Sequence, residues 1–136
     1  MANQLLIVTA IAEAATGLLL LVLPAVVAPL LLGAPLDAPA ALVVARIAGG
    51  ALLSLGCACW LARNESPAGV GGMVRAMLLY NVVAAAVLAH AVVAMRLAGV
   101  LTWPALALHT ALALWCLACL RGGAASAGGR VRSNSW

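Results

Sequence analysis

Residues 40–62 read AALVVARIAGGALLSLGCACWLA, an apolar run long enough to cross a bilayer that still carries an arginine, a serine and two cysteines. At about 100° per residue, Arg46, Gly50, Ser54 and Cys57 fall on one narrow stripe of a helix. The rest of that helix is mostly Ala, Val and Leu. A charge inside a membrane span is costly and ordinarily faces other protein or a wet cavity. The stripe therefore predicts a helix with an inside, shielded from hydrocarbon by neighbouring spans.

The remainder of the chain is of the same kind. Of its 136 residues 67% are hydrophobic and 7% charged, and none is phenylalanine. A soluble domain carries about a quarter charged residues, so water is not the main solvent here. Spans of about 20 apolar residues fit several times over, but no sizeable extramembrane domain fits beside them. The formal charge of +4 rests on arginine alone. Because the arginines sit near span ends, topology and anionic headgroups explain them better than nucleic acid does.

Four helices are predicted, as an all-α polytopic bundle over residues 1–121. The first covers about 5–32. Read as one straight helix it would be about 40 Å long, longer than the hydrocarbon core, so Pro24 is expected to bend it. Cleavage as a signal peptide is the rejected alternative, since no positively charged segment precedes the apolar run. Asp37 is placed to cap the second helix, 40–62. Arg63 to Gly72 reads as the most polar and flexible loop. Helices over 73–97 and 101–120 follow, with Pro104 in the first turn of the last. Gly122 to Trp136 reads as a disordered cytoplasmic tail. Arg63, Arg75, Arg121, Arg130 and Arg132 lie toward one side against Arg46 and Arg96 toward the other, which predicts both termini in the cytoplasm.

Several groups stand out from this apolar background. Glu13, Arg46, Asn81 and His109 form a candidate intramembrane polar cluster. Arginine's length would let Arg46 reach Glu13 as an ion pair, with Asn81 or His109 completing it. A structural pair is favoured over a proton- or substrate-binding carboxylate, and over an outward-turned Arg46 beside a neutral Glu13. Small residues at helical spacing, Ala45, Gly49, Gly50 and Gly56 on the second helix with Gly17 on the first, form a candidate packing face. Thiolates suit zinc or copper(I), and Cys57, Cys116 and Cys119 are the three that regular helices could bring together. Ordinary packing is the favoured use of these cysteines, so no cofactor is expected. The stripe His109, Ala113 and Cys116 matches that of Arg46, Gly50, Ser54 and Cys57, which predicts that the second and fourth helices meet across a polar seam.

Glu13 with Gly17-Leu-Leu-Leu20, Ala45-Arg-Ile-Ala-Gly-Gly50 with Leu55-Gly56, Cys59-Trp-Leu-Ala-Arg63, Leu79-Tyr-Asn81, Leu108-His109 and Trp115-Cys116 together resemble the small bacterial DoxX-like membrane proteins. That resemblance covers nearly all the spans. It implies a four-helix, multi-pass protein of the bacterial inner membrane and supplies no activity for particular residues. No nucleophile–base pair, phosphate loop or HExxH-type motif is present, so an enzyme is not expected. The expected role is a structural or accessory subunit, with lipids and a second copy or other membrane subunits as partners. An oligomeric permease or channel for a small solute, proton or metal ion is the alternative. A thiol metal or redox protein is the weaker one.

Overall fold

Pro24 divides the first apolar run in two. Proline lacks the N–H that would continue the ladder, and it pushes the preceding residue out of the helical region. In the computed structural model of the protein, Leu23 accordingly has φ −124° and ψ 49°. Helix α1 ends before it (Ala2–Val22) and α2 begins at the proline (Pro24–Leu32). The structure describes the backbone of residues 1–133 and the side chains of residues 1–122. Among the described residues the other elements are α3 (Pro39–Ala62), α4 (Pro67–Val93) and α5 (Thr102–Ser133), with no strand. Four of the five helices, all but α2, are long and apolar enough to cross a membrane.

Three boundaries differ from the sequence reading, each for a local reason. Helix α4 starts at Pro67 rather than residue 73, because Ser66 is its N-cap and accepts a hydrogen bond from the Gly69 N–H at 3.3 Å. A serine cap followed by proline in the first turn is a strong start signal, and it outweighs the glycines that read as loop. The same helix ends at Val93, short of residue 97. Arg96 there takes the left-handed conformation (φ 57°) and the Leu97 N–H returns to the Ala91 carbonyl at 3.0 Å. Helix α5 passes the expected end at residue 120. Its membrane-length part reaches Gly122 and its backbone continues to Ser133. No proline interrupts it, and an established helix propagates readily. Residues 134–136 of the expected tail lie outside the described residues. Asp37 does not cap α3: Ala38 is the N-cap, without a side-chain hydrogen bond, and Pro39 takes the first helical position.

The helices pack as two pairs, α1 against α3 and α4 against α5, with thinner contacts between the pairs. Within the first pair the backbones nearly touch. A Cβ added at Gly17 would lie 2.7 Å from the Gly49 carbonyl oxygen, and one at Gly49 would lie 2.5 Å from the Leu21 nitrogen. A Cβ at Gly56 would meet the Ala14 nitrogen at 2.8 Å. Small residues permit this close approach of two helix backbones.

The pairs are joined at both ends. At the lower end, where α1 begins and α3 gives way to α4, Leu5, Leu6, Cys59, Val74, Met77 and Cys116 form the buried core. At the upper end the bend at Pro24 carries the last carbonyls of α2 to the α4–α5 connection. Leu31 accepts from the Gly99 N–H at 3.2 Å and from the Thr102 hydroxyl, and Leu30 accepts from the Leu101 N–H at 2.9 Å. Helix-end carbonyls that would otherwise lack partners are satisfied in this way. Only glycine fits at position 99, since a Cβ there would collide with the Leu30 carbonyl.

Candidate functional site

Just above the lower core, polar side chains from α1, α4 and α5 meet in the interior. Glu13 follows Leu5, Leu6, Thr9 and Ala10 along one face of α1, the face that all the buried residues of that helix share. The residue is 4% exposed, and its carboxyl group accepts a hydrogen bond from the Tyr80 hydroxyl of α4 at 2.9 Å. Asn81, fully buried, donates through Nδ2 to the Met77 carbonyl one turn below at 2.8 Å. Its Oδ1 lies 2.8 Å from Nδ1 of His109 on α5, so that ring nitrogen carries the proton and donates. The His109 ring meets Tyr80 edge-on, with centroids 5.6 Å apart. Tyr80 thus touches both halves of the cluster: it donates to the carboxyl group of α1 and packs against the imidazole of α5.

Thr9 precedes Glu13 by one turn and is also fully buried, yet its hydroxyl has no hydrogen-bond partner. A helical threonine commonly bonds a carbonyl one turn back; this one does not. The cluster therefore holds one unsatisfied polar atom among otherwise paired groups.

Three of the four expected cluster members, Glu13, Asn81 and His109, lie in this assembly. Arg46 does not. It is exposed on α3, where Gly50, with no atom within 4 Å of an added Cβ, and the exposed Ser54 and Cys57 continue its stripe outward. The Ser54 hydroxyl bonds only its own helix, at the Gly50 carbonyl (2.9 Å). The reason is the close backbone contact through Gly17, Gly49 and Gly56, which fixes which face of α3 is inside and turns the arginine stripe away. Glu13 consequently pairs with a phenol, and the expected ion pair is absent. The expected seam between the second and fourth spans fails for the same reason: α3 packs on α1, and α5 on α4. Ala113 and Cys116 are buried within the bundle, while Ser54 faces out of it.

The expected packing set divides likewise. Gly17, Gly49 and Gly56 form the contact, Gly50 faces away, and half-buried Ala45 lines an apolar groove of about 440 Å³ between the upper parts of α1, α2 and α3. The cysteines also regroup. Cys57 is exposed, Cys119 half-buried, and Cys59 and Cys116 fully buried in the lower core. Cys59 and Cys116 share that core with Leu5, Leu6, Val74 and Met77. Among the described residues no three His, Cys, Asp or Glu side chains are grouped as a metal ion requires, so Cys57, Cys116 and Cys119 are not brought together as the thiol alternative would need.

Two buried residues, one in the cluster and one in the core below it, escaped the sequence reading. Tyr80 is the chain's single tyrosine, well inside a span, where its hydroxyl needs an acceptor; that was the available signal. Cys59 follows Gly56 by three residues and continues the packed face of α3, whereas Cys57 continues the outward stripe. Set against known protein families, curated proteins and solved structures, the chain matches none.

Proposed function

We propose that this protein is a small structural or accessory subunit of an assembly in the bacterial inner membrane. On this reading both termini and the α3–α4 loop are cytoplasmic, and the outward face of α3 docks a helix of another subunit. One observation carries the reading: Arg46, Gly50, Ser54 and Cys57 point out of the bundle from a helix of membrane-spanning length. About 10 Å from the start of α3, a guanidinium turned out of the bundle either stretches to the headgroups or takes a polar partner on a neighbouring helix, and the proposal takes the second. Glycine and serine, in contrast, are the residues that let a second helix approach.

The occupant is a different subunit rather than a second copy. A two-fold axis along the membrane normal through this face would set Arg46 against its own symmetry mate at the same depth, charge against like charge. A helix bearing a carboxylate or amide at that level satisfies it. Kinship with the DoxX-like proteins belongs to the same proposal and rests on the residues quoted for it. Native mass spectrometry of the gently extracted protein tests the reading. A partner subunit is expected with the wild type and lost in Gly50→Leu/Ser54→Leu, while the thermal stability of the purified chain is not lowered. Extraction of the wild type as a bare monomer would end the proposal.

The unpaired Thr9 hydroxyl one turn from Glu13 favours one second reading, an oligomeric proton or small-solute permease working through Glu13, Tyr80, Asn81 and His109. Under that reading Glu13→Gln abolishes flux into proteoliposomes and leaves the fold intact. Unchanged flux would remove it.

A further inference from the structure

At the lower end, away from the polar cluster, the α3–α4 loop overhangs a cavity of about 820 Å³. Its floor is apolar, with Val70 and Val74 of α4 and Leu120 of α5, and its rim carries Arg63 and Arg75 against the single acid Glu65. Among the described residues neither arginine is in an ion pair with a carboxylate. Arg63 is held in place instead: its guanidinium carbon lies 3.5 Å above the Trp60 ring, and one nitrogen donates to the Trp60 carbonyl. That arrangement fixes the fork and leaves its other nitrogens free. Pro67 and Ala68, the first residues of the 27-residue α4, also line the cavity, so the positive end of a long helix faces the same space.

A cavity with an apolar floor, and with two arginines outnumbering one acid at its rim, fits an amphiphilic anion. We infer that it holds the phosphate of an anionic phospholipid, with Arg63 and Arg75 on the phosphate oxygens and the acyl region on Val70, Val74 and Leu120. Guanidinium and phosphate match as paired donors and acceptors. The level also fits, because the cavity opens where the apolar helix α3 ends at Ala62 and α4 begins at Pro67, which is headgroup depth for a spanning bundle. The inference rests on the membrane insertion proposed above and is independent of any docking on α3.

The test uses the full chain in nanodiscs of phosphatidylcholine, so failure to incorporate would count against insertion itself and not against the site. Phosphatidylglycerol is titrated in and retention read by native mass spectrometry. One bound phosphatidylglycerol per chain is expected, weakening about tenfold or more in Arg63→Gln/Arg75→Gln. Arg96→Gln, at the opposite end, should leave binding unchanged, and Glu65→Gln should tighten it. Should the double variant lose its helical circular dichroism, the tightening in Glu65→Gln decides alone. Equal retention of phosphatidylcholine, unaltered binding in the double variant, or no response to Glu65→Gln overturns the inference. Inorganic phosphate that displaces the lipid at equal concentration would reassign the site to free phosphate and overturn the lipid assignment.

Discussion

Glu13 and Tyr80 join the two helix pairs through a single hydrogen bond in the bundle interior. Removing the donor leaves a buried carboxyl group without a partner, which costs about 1–3 kcal/mol. Tyr80→Phe should therefore lower thermal stability in detergent by that order, whereas Glu13→Gln, which keeps an acceptor for the phenol, should cost distinctly less. An equal loss in both variants would show that the acid itself matters beyond its bond with the phenol. Thr9→Val works in the opposite direction. It replaces an unpaired buried hydroxyl by a methyl group of the same shape, and should leave stability unchanged or raise it by about 1 kcal/mol. At this scale the sequence is partly legible. Glu13, Asn81 and His109 announce themselves as polar groups in apolar runs. Which polar group meets which is not encoded in any one helix, because it depends on how the helices rotate against each other. Arg46 was the natural partner by charge, and the glycine contact between α1 and α3 placed it on the other side.

The glycines of α3 make the same point for an element. Gly49 and Gly50 are neighbours in sequence and about 100° apart around the helix, yet one lies against the backbone of α1 and the other faces open space. Gly49→Ala must push the helices apart, with an overpacking cost of about 1–3 kcal/mol. Gly50→Ala removes a helix-weakening glycine and should stabilise an isolated α3 surface by up to about 1 kcal/mol. Unfolding curves of the two variants, measured side by side, should move in opposite directions; a shared direction would mean that the contact face is wrongly assigned. Apolar residues surround the helix on nearly all sides, so periodicity places the helix in the chain but says little about its orientation. The ends of elements are better encoded: Ser66-Pro67 marks the start of α4 within a segment whose glycines suggest a loop, and Pro24 marks the division of α1 from α2.

For the molecule as a whole, span number follows from length and composition, and the pairing of spans does not. Outward-facing and helix-facing surfaces are both rich in Ala, Val and Leu, so nothing in the composition states that α3 should choose α1 over α5. What the structure adds is a division of the four cysteines by environment, and this division gives access to the outward face of α3. Cys57 lies on it, Cys59 and Cys116 are fully buried, and Cys119 is half-buried. In a Cys119→Ala chain, a nitroxide reagent should modify Cys57 alone, the buried pair reacting only after denaturation. Labelling at Cys59 or Cys116 in the folded chain would contradict the lower core. With the label in place, collision with dissolved oxygen reports what covers α3. After purification as a bare chain the nitroxide should be freely accessible to oxygen. Returned to membranes that contain the proposed partner subunit, it should be shielded. A label equally accessible in both settings would leave Arg46, Gly50 and Ser54 facing lipid and remove the physical basis for a docking face.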